Sequence, residues 1–312
     1  MQQGDLVLNL QDVLYWVESM LKEYRVKDIP YLAHDTSKLE SRGTKFKFWF
    51  QNEFGTRSLY KEGRTNCGED WSEKVASELC ALLEIPHANY EFGTWTDESG
   101  TLRRGVVSES FLSGEDYFLT GLSLLKKPRE PTLETVLRFW EPTKYLETFI
   151  GYLLFDAWIG NTDRHSENWG LIVHVTDEAK KNNRFRASIA PTFDHASSLG
   201  VRLSDTEREN RLLTRDGRYT VGAYADRCKT PFGQNILGGY NRMKSHEVTL
   251  SLAQNYPDLV RPWLLRLNGV SQKEITNVFD RVPSGIASEV QVEFALALLG
   301  ENMQRLMSLM EI

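Results

Sequence analysis

Asp163 and Asn168 lie five residues apart inside Ile159-Gly160-Asn161-Thr162-Asp163-Arg164-His165-Ser166-Glu167-Asn168-Trp169-Gly170, a polar stretch that follows a long apolar run. A carboxylate and a carboxamide at that spacing suit phosphoryl transfer. The transferred group spreads negative charge over oxygens that already repel one another, so the reaction needs a divalent cation, a positioned positive charge and an oriented hydroxyl. Asp163 can accept the hydroxyl proton. Mg²⁺ favours octahedral oxygen coordination and takes few carboxylates, which suits the side-chain carbonyl of Asn168 and one further acid. An acid at a candidate position stands 31 residues beyond Asp163, where Ile189-Ala190-Pro191-Thr192-Phe193-Asp194-His195 passes from an apolar stretch into a polar turn. Alone, Asp163 reads better as part of a capped helix-to-strand loop; the three residues together carry the chemistry.

In Asp163-Arg164-His165 the histidine follows the aspartate, an order that resembles two kinase-like groups, the HipA-like bacterial serine/threonine kinases and the phosphoinositide 3/4-kinases. The phrases IGNTDRHSENWG and APTFDHASSLG resemble the HipA-like kinases more. This resemblance implies an α+β, two-lobed protein-kinase-like fold, with an N-terminal helix at 1–28, a small antiparallel-sheet lobe at 29–112 and a helical lobe at 113–312. It groups Asp163, Lys61 and His165 as catalytic, gives Asn168 and Asp194 to the metal, and calls for ATP and Mg²⁺.

The elements needed to position these groups are legible. Lys45 to Phe50 alternates and is aromatic-rich, Asn52-Glu53-Phe54-Gly55 turns, and Arg57 to Lys61 returns as a second strand. Side chains alternate along a strand, so Lys61 shares a face with Leu59, where an ammonium can reach α/β-phosphates. Without the downstream loop it reads as a solvated strand end. From Trp71 to Leu83 an apolar stripe of Val75, Leu79, Leu82 and Leu83 predicts a helix. Glu73 and Glu78 are candidate partners for Lys61, and the resemblance favours Glu73. Asp70-Trp71-Ser72-Glu73 reads equally as a capping box.

Two further strands, Asn89 to Trp95 and Thr101 to Glu109, join through Asp97-Glu98-Ser99-Gly100. By order along the chain, the segment from Ser108 to Leu112 takes the place of a kinase hinge, which nominates Glu109 and Phe111 beside the adenine, bound there by backbone groups. A polar loop from His34 to Thr44 takes the place of a phosphate-covering loop, with Gly43 near its end. HipA-like chains carry a serine, a glycine three residues on and a lysine four beyond that. Gly43 and Lys47 match the second half, while Glu40 replaces the serine. Ser37, Ser41 and Thr44 are the remaining candidate autophosphorylation sites; a merely solvated loop is the plainer expectation.

The spacing predicts an N-terminal helix after Asn9, with Val13, Val17, Met20, Leu21 and Tyr24 on one face, and a central helix from Glu141 to Ile159 whose end delivers the catalytic loop. Asp156 in that helix reads as a structural acid. Lys126 to Pro131 reads as a linker and Thr176 to Asn183 as a loop or hairpin. Further helices are expected at Ser245 to Ala253, Leu259 to Leu267, Gln272 to Phe279 and Ser288 to Leu309, with Trp263, Met303, Met307 and Met310 in the core.

Composition bounds the function. The 312 residues carry a net charge of −6 and are 41% hydrophobic, an ordinary globular balance that argues against generic nucleic-acid binding, which needs clustered Lys/Arg. Three cysteines without a CxxC spacing indicate neither a disulfide framework nor a zinc site. Met1 to Asp5 lacks a basic leader and the longest apolar run is short for a bilayer span, so cytoplasmic residence and no membrane partner are expected. A protein substrate is the expected partner, and the resemblance adds a toxin role with an antitoxin partner. A lipid kinase would share the catalytic set but normally adds a basic membrane-facing surface. A nucleotide-binding pseudokinase is the third class, kept open by the imperfect phosphate loop.

Overall fold

The computed structural model describes residues 22–30, 46–64, 67–126, 130–236 and 239–312. Gly43, Glu40, Ser37, Ser41 and Thr44 lie outside them, as does the segment up to residue 21 for which the spacing predicts a helix. Tyr24, which spacing placed on that helix, is buried in non-helical backbone.

The first part is a sheet of β1 (Val26–Ile29), β2 (Lys47–Gln51), β3 (Arg57–Glu62), β4 (Tyr90–Thr96) and β5 (Leu102–Glu109), in the order β1-β4-β5-β3-β2, with α1 (Glu69–Leu82) between β3 and β4. Pairing is antiparallel except for β1, which runs parallel to β4. Alternation sorts the two faces as expected. Phe48, Tyr60, Trp95 and Val107 form an aromatic cluster on one. Lys61 and Val106, paired across β3 and β5, lie on the other. At Gly105 a Cβ would come within 2.2 Å of the Lys61 carbonyl, so only glycine lets β5 approach the lysine's backbone this closely.

After β6 (Tyr117–Thr120), α2 (Gly121–Leu125) and α3 (Leu133–Trp140), the central α4 spans Leu146–Ile159, with Glu141 to Tyr145 outside it as turns. Nearly every α4 residue is buried, as a helix apolar on all sides should be. Gly160, at φ 66°, ends it in the left-handed conformation. A three-stranded sheet adds β7 (Gly170–His174) and β8 (Arg186–Ile189) to β6. The polar run between them forms the short α5 (Asp177–Asn182), capped by Thr176.

The rest is α6 (Asp205–Leu213), α7 (Val221–Arg227), the hairpin β9 (Lys229–Ile236) with β10 (Gly239–Lys244), then α8 (Ser245–Asn255), α9 (Pro257–Gly269), α10 (Gln272–Asp280) and α11 (Glu289–Met307). The last four follow the helical spacing of the sequence, and Trp263 and the methionines pack in or against the main core. That core is continuous with the first part: Trp71, Val75 and Leu79 of α1 belong to the same cluster as Phe149 and Trp158 of α4.

Candidate active site

Glu73 decides the geometry of the first half of the site. Its Oε2 accepts from Lys61 Nζ at 2.8 Å, and its Oε1 accepts from the backbone N of His195 at 2.6 Å. One carboxylate on α1 therefore holds both the lysine of β3 and the chain beside Asp194. Lys61 also contacts Asp194 Oδ1. Lys61 is 8% exposed and Glu73 fully buried. Burial alone would lower the ammonium's pKa, but the Asp194 and Glu73 carboxylates outweigh it and hold it well above the ordinary lysine value. The capping box read at Asp70 to Glu73 does not form. The N-cap is Gly68 with no side-chain cap, Asp70 pairs with Arg104 at 3.0 Å, and Glu78 pairs with Lys74.

Asp194 sits at φ 59°, a left-handed conformation uncommon for a non-glycine residue. Its neighbours pin it from both sides: Arg164 Nη1 donates to the Phe193 carbonyl at 2.8 Å, and Glu73 takes the His195 amide. The His195 ring is buried, with Nε2 2.9 Å from Thr192 Oγ1 and its edge against Phe155. Burial keeps it neutral by pushing its pKa well below the usual imidazole value.

Arg164 organises the second half. Its Nε and Nη2 donate to the two oxygens of Asp156 at 2.7 and 2.8 Å, while Nη1 also reaches the Asn168 carbonyl at 2.8 Å. The guanidinium is 1% exposed and so ties the end of α4, the Asp163–Asn168 loop and the Asp194 segment together. Asn161 adds to the frame, donating to Asp156 Oδ1 at 2.8 Å and accepting from the Asp163 amide at 3.1 Å. Asn168 Nδ2 donates to the Asp163 carbonyl at 2.8 Å, which orients Oδ1 away as an oxygen donor. Asp163 itself is part-exposed. The ring of His165 is buried beside the loop, its Nδ1 accepting from the Glu167 amide at 3.2 Å.

The segment after β5 runs beside the Asp194 segment. Phe111 packs 5.7 Å from Phe193 and 5.8 Å from Phe118, and the three rings form a wall next to Asp194. The Glu109 side chain points elsewhere, accepting from Asn52 at 3.1 Å in the β2–β3 turn. Sequence reasoning missed Arg164, though Asp156 eight residues earlier was the available signal. It also missed Tyr90, whose hydroxyl accepts from the Asp194 amide at 3.4 Å, and Ser198, which meets Ser72 of α1 at 2.9 Å.

No family model matches the chain. A curated relative, the serine/threonine-protein kinase CtkA of Helicobacter pylori strain J99, is 24% identical over 283 residues, covering 85% of this chain and 81% of that protein. Among solved structures, the Helicobacter pylori proinflammatory kinase CtkA superposes with a TM-score of 0.68 at 19% identity, over 91% of this chain and 96% of that one. The Shewanella oneidensis MR-1 toxin–antitoxin complex of HipA, HipB and operator DNA follows with a TM-score of 0.51 at 12% identity, over 96% of this chain and 70% of the other. The chain shares the α+β, kinase-like fold of these solved structures.

Proposed function

We propose that this chain, a HipA-like kinase in fold, is a serine/threonine protein kinase that transfers the γ-phosphoryl group of ATP to a protein hydroxyl. The observation that carries the reading is the convergence of Lys61, Glu73 and Asp194 with a catalytic loop that holds Asp163 and Asn168. In this reading Lys61, fixed by Glu73, presents its ammonium to the nucleotide phosphates. Asp163 accepts the proton of the acceptor hydroxyl as that oxygen attacks the γ-phosphorus and the bond to the β-phosphate oxygen breaks. ADP is the leaving group.

The donor set fits a hard divalent cation. Asn168 offers an amide oxygen whose NH₂ is already committed, and the Asp194 carboxylate is one-third exposed. These two oxygens would hold Mg²⁺, which supplies charge neutralisation between the phosphates. The wall of Phe111, Phe118 and Phe193 suits the adenine plane. Glu109 would contribute there through its backbone, since its side chain is turned to Asn52.

An antitoxin partner, a growth-arresting role and self-phosphorylation at Ser37, Ser41 or Thr44 extend the proposal by likeness to HipA. Among the described residues no helix is long and apolar enough to cross a membrane, and a cytoplasmic protein substrate completes the reading. Incubation with γ-labelled ATP, Mg²⁺ and protein or lipid acceptors tests it. Label on serine or threonine supports the proposal; label on lipid alone, or none on any acceptor, overturns it.

A further inference from the structure

The stretch from Gly200 to Lys244 carries nine arginines and lysines against five acids, in a chain whose net charge is −6. Most of these cations have local partners. Arg208 pairs with Asp205 at 2.6 Å and Arg218 with Asp216 at 2.7 Å. Two others connect to the Asp163 loop, Arg202 through hydrogen bonds and Arg242 through its field. Arg202 is exposed and donates from Nη2 to Ser197 Oγ at 3.2 Å. The Ser197 carbonyl accepts in turn from the Thr162 amide at 3.3 Å, so one residue links Arg202 to the neighbour of Asp163. Among the described residues, no carboxylate pairs with Arg202.

Arg242 belongs to β10, opposite Gly233 of β9, and its side chain is 44% exposed. Glu130 grips it through both oxygens, with Nε 2.8 Å from Oε2. The Glu130 hydrogen bond is the main reason the guanidinium's pKa is raised, and the Asp163 carboxylate contributes to the same field. Glu130 thus illustrates how this fork receives a carboxylate: bidentate, at the surface and within electrostatic reach of the base.

We propose that Arg202 and Arg242 select protein substrates that carry acidic side chains beside the phosphoacceptor hydroxyl. This rests on the serine/threonine kinase reading above. The need for cations here is physical. Asp163, Asp194 and the triphosphate make the reacting centre negative, and an acidic peptide approaching it is repelled unless the flanks compensate. Complementary charge across an interface fixes partner choice and encounter rate more than raw affinity. The exposed guanidiniums also suit a macromolecular acceptor that arrives from solvent, whereas Lys61 and Arg164 are buried in their ion pairs.

The test uses the full chain, Mg²⁺-ATP and three synthetic serine peptides that differ only beside the serine, with Asp/Glu, with Asn/Gln or with Lys. The acidic peptide should exceed its amide twin in kcat/KM by about tenfold at low salt, the scale of a charge-assisted contact. The ratio should shrink as salt shortens the screening length. Arg202→Gln and Arg242→Gln should each pull the ratio towards one, Arg242→Glu should turn preference towards the lysine peptide, and Glu130→Gln, which releases Arg242, should raise the acidic preference. Because the wild-type peptide series is decisive alone, misfolding of a variant leaves the test intact.

Equal kcat/KM for acidic and amide peptides, with transfer itself intact, overturns the inference and leaves the kinase reading standing. So does a preference for the lysine peptide. So, too, does binding of an RNA oligonucleotide to the two arginines while peptides show no acidic preference. Absence of transfer to any peptide or to the chain itself overturns both.

Discussion

On one side of the catalytic loop, Lys61, Glu73, Arg164 and Asp156 are all at most 8% exposed, and each lies in an ion pair of 2.7 to 2.8 Å. On the other, Asp163 is part-exposed and Arg202 and Arg242 lie at the surface, where one guanidinium donates to the Ser197 hydroxyl and the other pairs with Glu130. The buried side has its geometry fixed before any ligand arrives, as electrostatic preorganisation requires. The exposed side remains open to a partner of variable sequence. A small constant substrate can be met by a rigid, desolvated frame; a protein surface is met by side chains that stay in water until contact.

Asp163→Asn tests whether the exposed side carries the chemistry. Loss of a general base should lower transfer by about 10²- to 10⁴-fold while ATP affinity stays nearly unchanged, because the base acts on the acceptor hydroxyl. Wild-type turnover in this variant would break the comparison at its root.

Next in size is the buried side's contribution to stability. Arg164→Met leaves Asp156 buried without its cation and should destabilise the fold by about 3–5 kcal/mol, read from urea unfolding. Adding Asp156→Leu should return much of that loss, since a matched apolar pair removes the orphaned charge. If Arg164→Met unfolds at the wild-type urea midpoint, the guanidinium does not hold α4, the loop and the Asp194 segment together.

Smaller effects separate the proposed metal contacts, Asn168 and the part-exposed Asp194, from Lys61 of the buried frame. Asp194→Ala and Asn168→Ala should weaken Mg²⁺-dependent ATP binding by roughly tenfold or more, whereas Lys61→Ala should weaken it with or without metal. Calorimetry in which none of the three alters ATP affinity would remove the nucleotide from this side altogether.

The cysteines give the mildest probe. Burial pushes the Cys80 thiol well up and the Cys228 thiol to about 11, so both should be protonated at pH 8 and resist alkylation in the folded chain. Cys67, only partly buried, should react first. Early labelling of Cys80, which lies within the fields of Arg164, Asp156 and Glu73, would mean that the buried side opens on its own.

The sequence made parts of this legible for a physical reason. Asp163, Asn168 and Asp194 sit in short segments whose residue order is itself the chemistry, and α8 to α11 announce themselves by apolar spacing. Distant partners showed only through the resemblance, which favoured Glu73 for Lys61. Lys61 and Asp194 are 133 residues apart, and no local pattern reveals that Glu73 serves Lys61 and His195 instead of capping its own helix. The parallel β1 has only four residues, with one buried, too few to set a period. The β9–β10 hairpin carries mostly exposed side chains on β10, so it lacks the apolar alternation that marks a strand. Arg164 went unread because a buried arginine looks, in sequence, like any surface one.

The core that α1 shares with α4 limits how this protein can be switched off. In protein kinases the placement of the helix bearing the lysine's acidic partner is a common point of control. Here Trp71, Val75, Ala76, Leu79 and Cys80 of that helix are completely buried, in one cluster with Phe149 and Trp158. Rotating the helix outward to part Glu73 from Lys61 would expose them, at about 1.5–3 kcal/mol for each large side chain. Such a dormant form would carry a large exposed apolar face. Inhibitors that trap an outward helix should therefore find no pocket to hold, and selective blockade has to act at the nucleotide or at the mouth around Asp163.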